Sequence, residues 1–382
     1  MLFSFKKHLL AIAVSLASLS GFAQAAEQDS THHIQAPNHV EAHVNQAIAD
    51  NHGEPADLKS QIRAHIDHHV LDAHDFTLFA DAETGAHYGF PLPIILWDNG
   101  LHIFSSAKFD HGNAVAESNG NYYKLHHEKI YKTDAAGTIT GDPHHPDNKK
   151  PLDFSITKGV LTMFIVAILM FVLFTGLARS FAKNGGISSG FARIFEPIVL
   201  YIRDEIAIPN IGEKHYKRYM GYLLTIFFFV WFLNIFGLTP LGINVTGNIA
   251  VTFGLALMTF LITNFTANRN YWGHIFWMPG VPTLMKIILA PIELLGVIIK
   301  PFALMIRLYA NIFAGHIVLM SLIGLIFIFK NWLGSSLSFL LSFAISCIEI
   351  LVALLQAYIF TMLSALYFGS AVEEHHHEEA HH

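Results

Sequence analysis

The sequence predicts an all-α polytopic membrane protein of about five transmembrane segments. Two of them are long, steeply tilted and antiparallel, and a small His-rich extracytoplasmic domain with some β structure precedes them all. Three observations predict it. Of 382 residues 53% are hydrophobic and only 14% charged, too apolar a balance for a soluble chain of this length. The excess is concentrated after about residue 155, where long apolar segments follow one another, whereas 26–154 is polar and carries 16 of the 25 histidines. The chain also opens on Lys6 and Lys7, then the apolar Leu9–Phe22, then Ala23-Gln24-Ala25, the order of a secretory signal peptide.

The expected organisation is a signal peptide at 1–25, a His-rich periplasmic domain at 26–154, a transmembrane domain at 155–372 and an acidic, His-rich cytoplasmic tail at 373–382. In the first domain, Ile94–Trp97 and Leu101–Phe104 flank Asp98-Asn99-Gly100, a hairpin signal because Asn-Gly accepts the positive φ of a tight turn. A second β pair is expected around Ala135-Ala136-Gly137. Paired histidines such as His32-His33 and His126-His127 are able to bind metal, but no H-E-x-x-H string fixes a site, so no metal site is assigned. Cys347 is the only cysteine, which excludes an internal disulfide. A net charge of −6 with no basic tract gives no reason to expect nucleic-acid binding.

Gly159–Ala182 is long enough to cross the hydrocarbon core of about 30 Å. The basic residues that follow, from Arg179 to Arg218, place that connection in the cytoplasm by the positive-inside rule, in agreement with an exported N-terminus. Tyr219–Leu238 crosses back and Asn248–Ala267 returns, with Arg269 in a loop and Tyr271, Trp272 and Trp277 in an interfacial belt. Thr283–Phe329 would reach roughly 70 Å as one helix, more than twice the core thickness, so it is either a hairpin or one steeply tilted helix. Glu293, Lys300 and Arg307 recur every seven residues, which puts them on one helical face with Asn311 a turn further on. A single helix can bury such a stripe, so the long helix is the expectation. Ser335–Phe368 repeats the pattern, with Glu349 and Gln356 seven apart.

Arg307 carries the chemistry. A guanidinium near mid-bilayer costs roughly 2.5–3.5 kcal/mol on insertion scales, and it cannot shed its proton to escape. Intramembrane charges of this kind face a bundle interior or an aqueous path, which points to ion or proton movement. The bland alternative is a lock, with Glu293, Arg307 and Glu349 pairing to hold two helices together.

The string Arg307-Leu308-Tyr309-Ala310-Asn311-Ile312-Phe313-Ala314-Gly315-His316, preceded by Glu293 and Lys300-Pro301 and followed by Glu349 and Gln356-Ala357-Tyr358-Ile359-Phe360, resembles the subunit a family of the rotary F-type ATP synthases. The resemblance covers roughly 154–372. It implies a proton-channel stator in a bacterial inner membrane, with two half-channels opening on a c-subunit ring and with a b-subunit peripheral stalk as a further partner. It puts the functional arginine at Arg307, the motif amide at Asn311 and the C-terminal glutamine at Gln356. His316 and Glu349 fall on an acid and histidine pair, and Asn248 falls where some members carry an acid of the outer half-channel. Glu293, His316, Glu349 and Gln356 are expected along the outer path. No cofactor is implied. The string G-x-x-x-x-G-K-[ST] does not occur, so this chain is not expected to bind or make ATP itself. The resemblance has no counterpart for 26–154.

Rival readings are weaker. A secondary transporter with an intramembrane charged substrate site predicts an internal repeat with two interrupted helices, and none is visible. A membrane-anchored metal or sensory protein would leave Arg307 without a purpose. An intramembrane protease lacks its catalytic strings in the spans.

Overall fold

The computed structural model describes residues 72–80, 87–142, 145–183, 192–239, 243–278, 282–328 and 332–373. The expected signal peptide, the stretch 26–71 and the tail after residue 373 lie outside the described residues.

The N-terminal domain is built from short antiparallel strands, of which β1 (Asp75–Ala80) and β2 (His87–Pro91) pair first. β3 (Pro93–Trp97) pairs with β4 (Leu101–Ser105), and β10 (Leu152–Asp153) adds to the other edge of β3; β5 (Val115–Ser118), β6 (Asn121–His126) and β7 (Lys129–Thr133) form a second three-stranded sheet. Period-two alternation sends Ile94 and Leu96 inward to meet Phe104, Phe109, Tyr123 and Ile130, a small core between the two sheets. The expected hairpin is present, with Trp97 opposite Leu101 and Asn99 at φ 55°. The expected pair around Gly137 is absent. Gly137 does turn the chain, at φ 73°, but β7 is already paired with β6, and the next strand, β8 (Gly141–Asp142), pairs onward with β9 (His145–Pro146).

A charged hub holds the domain together. Asp98, 4% exposed, receives hydrogen bonds from Lys132 at 2.6 Å, Lys149 at 3.3 Å and the Tyr123 hydroxyl at 3.4 Å. The Lys132 hydrogen bond outweighs burial and, with Lys149, holds the Asp98 carboxyl below the usual carboxylate range. Burial and the charge of Asp98 push the Tyr123 hydroxyl up to about 12.

Among the described residues five helices are long and apolar enough to cross a membrane: α1 (Lys158–Lys183), α4 (Tyr216–Leu238), α5 (Ile249–Thr266), α7 (Thr283–Ile328) and α8 (Trp332–Val372). Their ends lie within a few residues of the expected segments. Both long runs are single helices rather than hairpins. At about 1.5 Å per residue α7 spans roughly 69 Å, Pro291 and Pro301 included, so it crosses a hydrocarbon core of about 30 Å only at a steep tilt. Asn311 Nδ2 donates to Gln356 Oε1 at 3.0 Å and Ser335 Oγ to the Ile326 carbonyl at 2.8 Å, an order of contacts that makes α7 and α8 antiparallel.

Two segments read as loops are helical. Between α1 and α4 lie α2 (Ala192–Tyr201), a stretch of π-helix (Ile202–Ala207) and α3 (Ile208–Ile211). Arg269 begins a short helix, α6 (Arg269–Phe276).

The two ends of the bundle differ. At one end the β-domain is fastened to α1: Asp72 accepts from the Gly159 amide at 2.9 Å and the Thr157 hydroxyl at 2.8 Å, and the Lys158 amide donates to the Ala73 carbonyl at 2.9 Å. Asp72 thus caps a spanning helix from another element, using the unpaired amides of its first turn. At the other end, the Asn268 amide donates to the Ala371 carbonyl at 2.8 Å and its side chain to the Val372 carbonyl at 3.1 Å. The β-domain and the end of α8 therefore stand at opposite ends of the bundle.

Packing at the α8 end is tight. A Cβ on Gly369 would overlap the carbonyl oxygen of Asn210 in α3. Gly369→Ala is expected to cost about 1–3 kcal/mol through forced separation of α3 and α8, read as a lower midpoint of thermal unfolding in detergent. An unchanged midpoint would show that the contact does not constrain the fold.

Asp98 has a folded pKa below its unfolded value of about 3.9, so its contribution is complete above that value and is lost as the pH falls through the folded one. Acidification below about pH 4 is expected to speed hydrogen exchange in β6 and β7. Asp98→Ala should give fast exchange already at neutral pH, at a cost of about 1–3 kcal/mol, and should flatten the acid dependence.

Candidate functional site

Polar residues that the apolar helices carry converge where α7, α8 and α4 meet. Glu349 on α8 is 8% exposed and reaches the backbone of α7 at Gly315: a Cβ there would lie 2.5 Å from Glu349 Oε1. His316, the next residue, is 6% exposed and turns towards α4, where a Cβ on Gly237 would sit 3.4 Å from its Nε2. Two glycines thus make the room that two ionisable side chains occupy. Imidazole and carboxyl are neighbours through Gly315 and make no hydrogen bond to each other among the described residues. Glu349 Oε2 is buried with no hydrogen-bond partner. Such a group carries a desolvation cost of about 1–3 kcal/mol, which a proton, a water or a partner's side chain relieves.

One turn along α8, Asn234 of α4 donates from Nδ2 to the Ala353 carbonyl at 3.3 Å and accepts from Thr246 Oγ1 at 2.7 Å. Another turn on, Gln356, 2% exposed, accepts from Asn311. Glu349, Ala353 and Gln356 therefore form one polar seam on α8, met in turn by α7, α4 and α7 again. Asn234 was missed by the sequence reading, although an amide inside the run Phe232–Phe236 is a signal of the same kind as Asn311.

Arg307 is placed differently from the expectation. It and Asn311 are exposed on the outer flank of α7, while Leu304, Met305 and Leu308 turn inward. The stripe is not buried within the chain because no other helix covers that flank. Nor does the lock exist: among the described residues Glu293, Arg307 and Glu349 form no ion pair. Lys300 sits with its ammonium 5.6 Å from the centre of the Tyr367 ring.

Glu293 stands apart from His316 and Glu349. It lies 23 positions before His316, about 35 Å along the axis of α7, and its charge is felt at Tyr271 of α6, at the end of the bundle away from the β-domain. Its spacing with Arg307 puts it on the same face of α7 at a different depth. Asn248 is the N-cap of α5, with Oδ1 accepting from the Ala250 amide at 2.9 Å, and it lines a cavity between the helices and the β-domain. Among the described residues no three His, Cys, Asp or Glu side chains are grouped to hold a metal ion.

A bundle of spanning helices with buried proton-carrying side chains and an exposed guanidinium in its longest helix defines a polytopic membrane protein whose charged site is open on one flank. The comparisons with known proteins fit that class. The chain belongs to the ATP synthase A chain family, whose description matches residues 160–369, more than half of its length. Residues 65–154 match a second family, Domain of unknown function (DUF8433). The chain is 44% identical over 237 residues to ATP synthase subunit a of Chloroherpeton thalassium, covering 60% of this chain and 70% of the relative. It is likewise 44% identical over 236 residues to ATP synthase subunit a of Myxococcus xanthus, covering 60% of this chain and 77% of the relative.

The slot at Gly315 yields a test. Gly315→Ala would push the Glu349 carboxyl out of its place without removing any ionisable group. Proton flux through the assembled complex is expected to fall between about 10- and 100-fold, the scale of a displacement near 1 Å. Wild-type flux would show that Glu349 needs no fixed position.

Proposed function

We propose that this chain is the membrane stator subunit of a rotary F-type ATP synthase, and that Arg307 is the fixed charge against which a rotor carboxylate ionises. The observation that carries the reading is the exposure of Arg307 on the flank of α7. A permanent cation within a spanning helix, without an ion-pair partner among the described residues of its own chain, calls for an anion from a partner. A carboxylate moving through lipid travels neutral, because the ionised form is prohibitively expensive there; opposite Arg307 it is able to ionise. A ring of c subunits, each with one such carboxylate, is the partner that the family resemblance supplies. A b-subunit stalk would bind elsewhere on the chain.

The β-domain lies outside the membrane, in the periplasm, and the end of α8 lies in the cytoplasm. The signal-peptide pattern, the basic residues of Arg179–Arg218 and the opposite placement of the two at the ends of the bundle support that orientation. Protons enter past Asn248 to His316 and Glu349 and pass to the rotor near the Asn311–Gln356 bridge. After nearly a full turn of the ring they leave on the inner side, where Glu293, Lys300 and Tyr367 lie. Each proton crossing 100 mV delivers about 2.3 kcal/mol, so several are needed for each ATP made elsewhere in the complex.

Arg307→Ala is expected to abolish proton-driven ATP synthesis in a complex that still assembles, and to open a passive leak between the half-channels. Arg307→Lys should fail as well, because an ammonium has a shiftable pKa and lacks the planar fork. ATP-driven pumping and valinomycin-induced flux in vesicles containing the whole complex measure both. Pumping at the wild-type rate by Arg307→Ala would end this reading.

A further inference from the structure

A cavity of about 410 Å³ lies where the β-domain meets the helices. Its roof is formed by His74, Asp153 and the turn between β6 and β7 that carries His127 and Glu128. Its floor is the segment 243–249 leading into α5, together with the stacked rings of Tyr309 and Phe313 on α7. The joint is fixed rather than loose, because Asp72 and Ala73 are hydrogen-bonded to the start of α1, and Phe76 and Leu92 share a core with Val160 and Met163.

Two further observations give the cavity a direction. The same point on Gly237 lies 3.4 Å from His316 Nε2 and 3.4 Å from the Ile243 carbonyl, and Ile243 lines the cavity. Phe313 is also one helical turn before His316. The floor of the cavity thus adjoins the buried imidazole of the site. In the roof, His74 is 2% exposed; its Nε2 is 3.0 Å from Asp153 Oδ2, while its Nδ1 has no hydrogen-bond partner.

We propose that this cavity is a vestibule, walled by the β-domain, through which hydrated protons reach His316, and that the His74–Asp153 pair is the group in its wall that takes them up. The inference rests on the stator reading above and adds a task for the β-domain. Net charge does not attract protons there, since Asp72, Glu128 and Asp153 are matched by Lys129, Lys150 and Lys158. Asp72 is occupied as a helix cap, and Lys150 lies over the Tyr131 ring at 5.2 Å. For His74, burial disfavours the charged ring, but the hydrogen bond and charge of Asp153, with Glu128 and Asp72 beyond, prevail and raise its pKa. Burial of Asp153 is likewise outweighed by His74, and its carboxyl is held below the usual range. The pair therefore holds its proton to a higher pH than a free imidazole does and unloads as the outer pH rises through the raised value of His74.

The test uses the whole complex in vesicles, with pH varied on the β-domain side only. Asp153→Asn keeps an acceptor for the Ser155 amide, which donates to Asp153 Oδ1 at 2.8 Å, while removing the charge that loads His74. In Asp153→Asn and His74→Gln the proton concentration for half-maximal uptake is expected to rise about three- to ten-fold, the scale of up to one pK unit, with acidification restoring the rate. A second arm does not depend on those variants folding. Lys129→Cys in a Cys347→Ser background, reacted from the β-domain side with a bulky hydrophilic thiosulfonate, should lose the uptake it had before reaction. Unchanged half-maximal pH in both variants would overturn the role of the pair, and undiminished uptake after labelling would overturn the vestibule. Pumping by Arg307→Ala would instead overturn the stator reading beneath both.

Discussion

A guanidinium that faces out of its own chain, within a helix meant for hydrocarbon, is the constraint on which the rest of the structure depends. The insertion cost of roughly 2.5–3.5 kcal/mol is bearable for an assembled complex but leaves the isolated subunit incomplete on that flank. The surrounding surface agrees. Ile299, Phe302 and Ile306 on α7, with Ile348, Leu351 and Leu355 on α8, are all exposed and apolar, suited to lipid or to another helix but not to water. A steeply tilted helix lays a longer stretch of such surface along a neighbour than an upright one, so under the proposed stator reading the unusual length of α7 and α8 serves the same contact that Arg307 requires.

The spanning helices were legible because one term dominates them. In hydrocarbon every backbone amide and carbonyl needs a partner within its own helix, so an apolar run of sufficient length has few alternatives. Segments governed by finer balances were harder to read. α2 carries Pro197 inside it and continues through a π-helical turn, a pattern that scans as a broken, basic loop. In the β-domain, Asn99 and Gly100 announced the hairpin, but the turn at Gly137 leads between strands whose partners lie elsewhere. Which strands pair is a tertiary fact that local sequence does not record. Asp98 was read only as a turn residue. Its burial among Lys132, Lys149 and Tyr123 is a tertiary fact.

The site divides in the same way. Helical spacing linked Arg307 to Asn311, one turn on, and Glu349 to Gln356, seven residues on, without any structure. Depth is not available from spacing: Glu293 and His316 stand on opposite sides of Arg307 along α7. The two glycines were also invisible: Gly237 and Gly315 matter for what they leave room for, and only the packed helices reveal that His316 and Glu349 fill those places. Polar residues announced the chemistry, and residues with no side chain determine where it is held.

In the proposed reading, depth is the reason Arg307 separates two paths rather than decorating one. At about 1.5 Å per residue, His316 lies roughly 13.5 Å from Arg307 along α7 towards the β-domain, and Glu293 lies roughly 21 Å away towards the opposite end. Each half thus has proton-exchanging groups of its own, with the guanidinium between them. A protonated arginine neither accepts a proton nor gives one up, and its charge repels a hydrated proton at close range. A relay running straight along α7 is therefore interrupted at Arg307. A neutral carboxyl carried on another chain is not stopped by it, because it brings its proton bound and needs only to exchange partners there. The geometry that blocks the direct route leaves a moving carrier as the means of passage, and motion of that carrier is what a rotary machine converts into work.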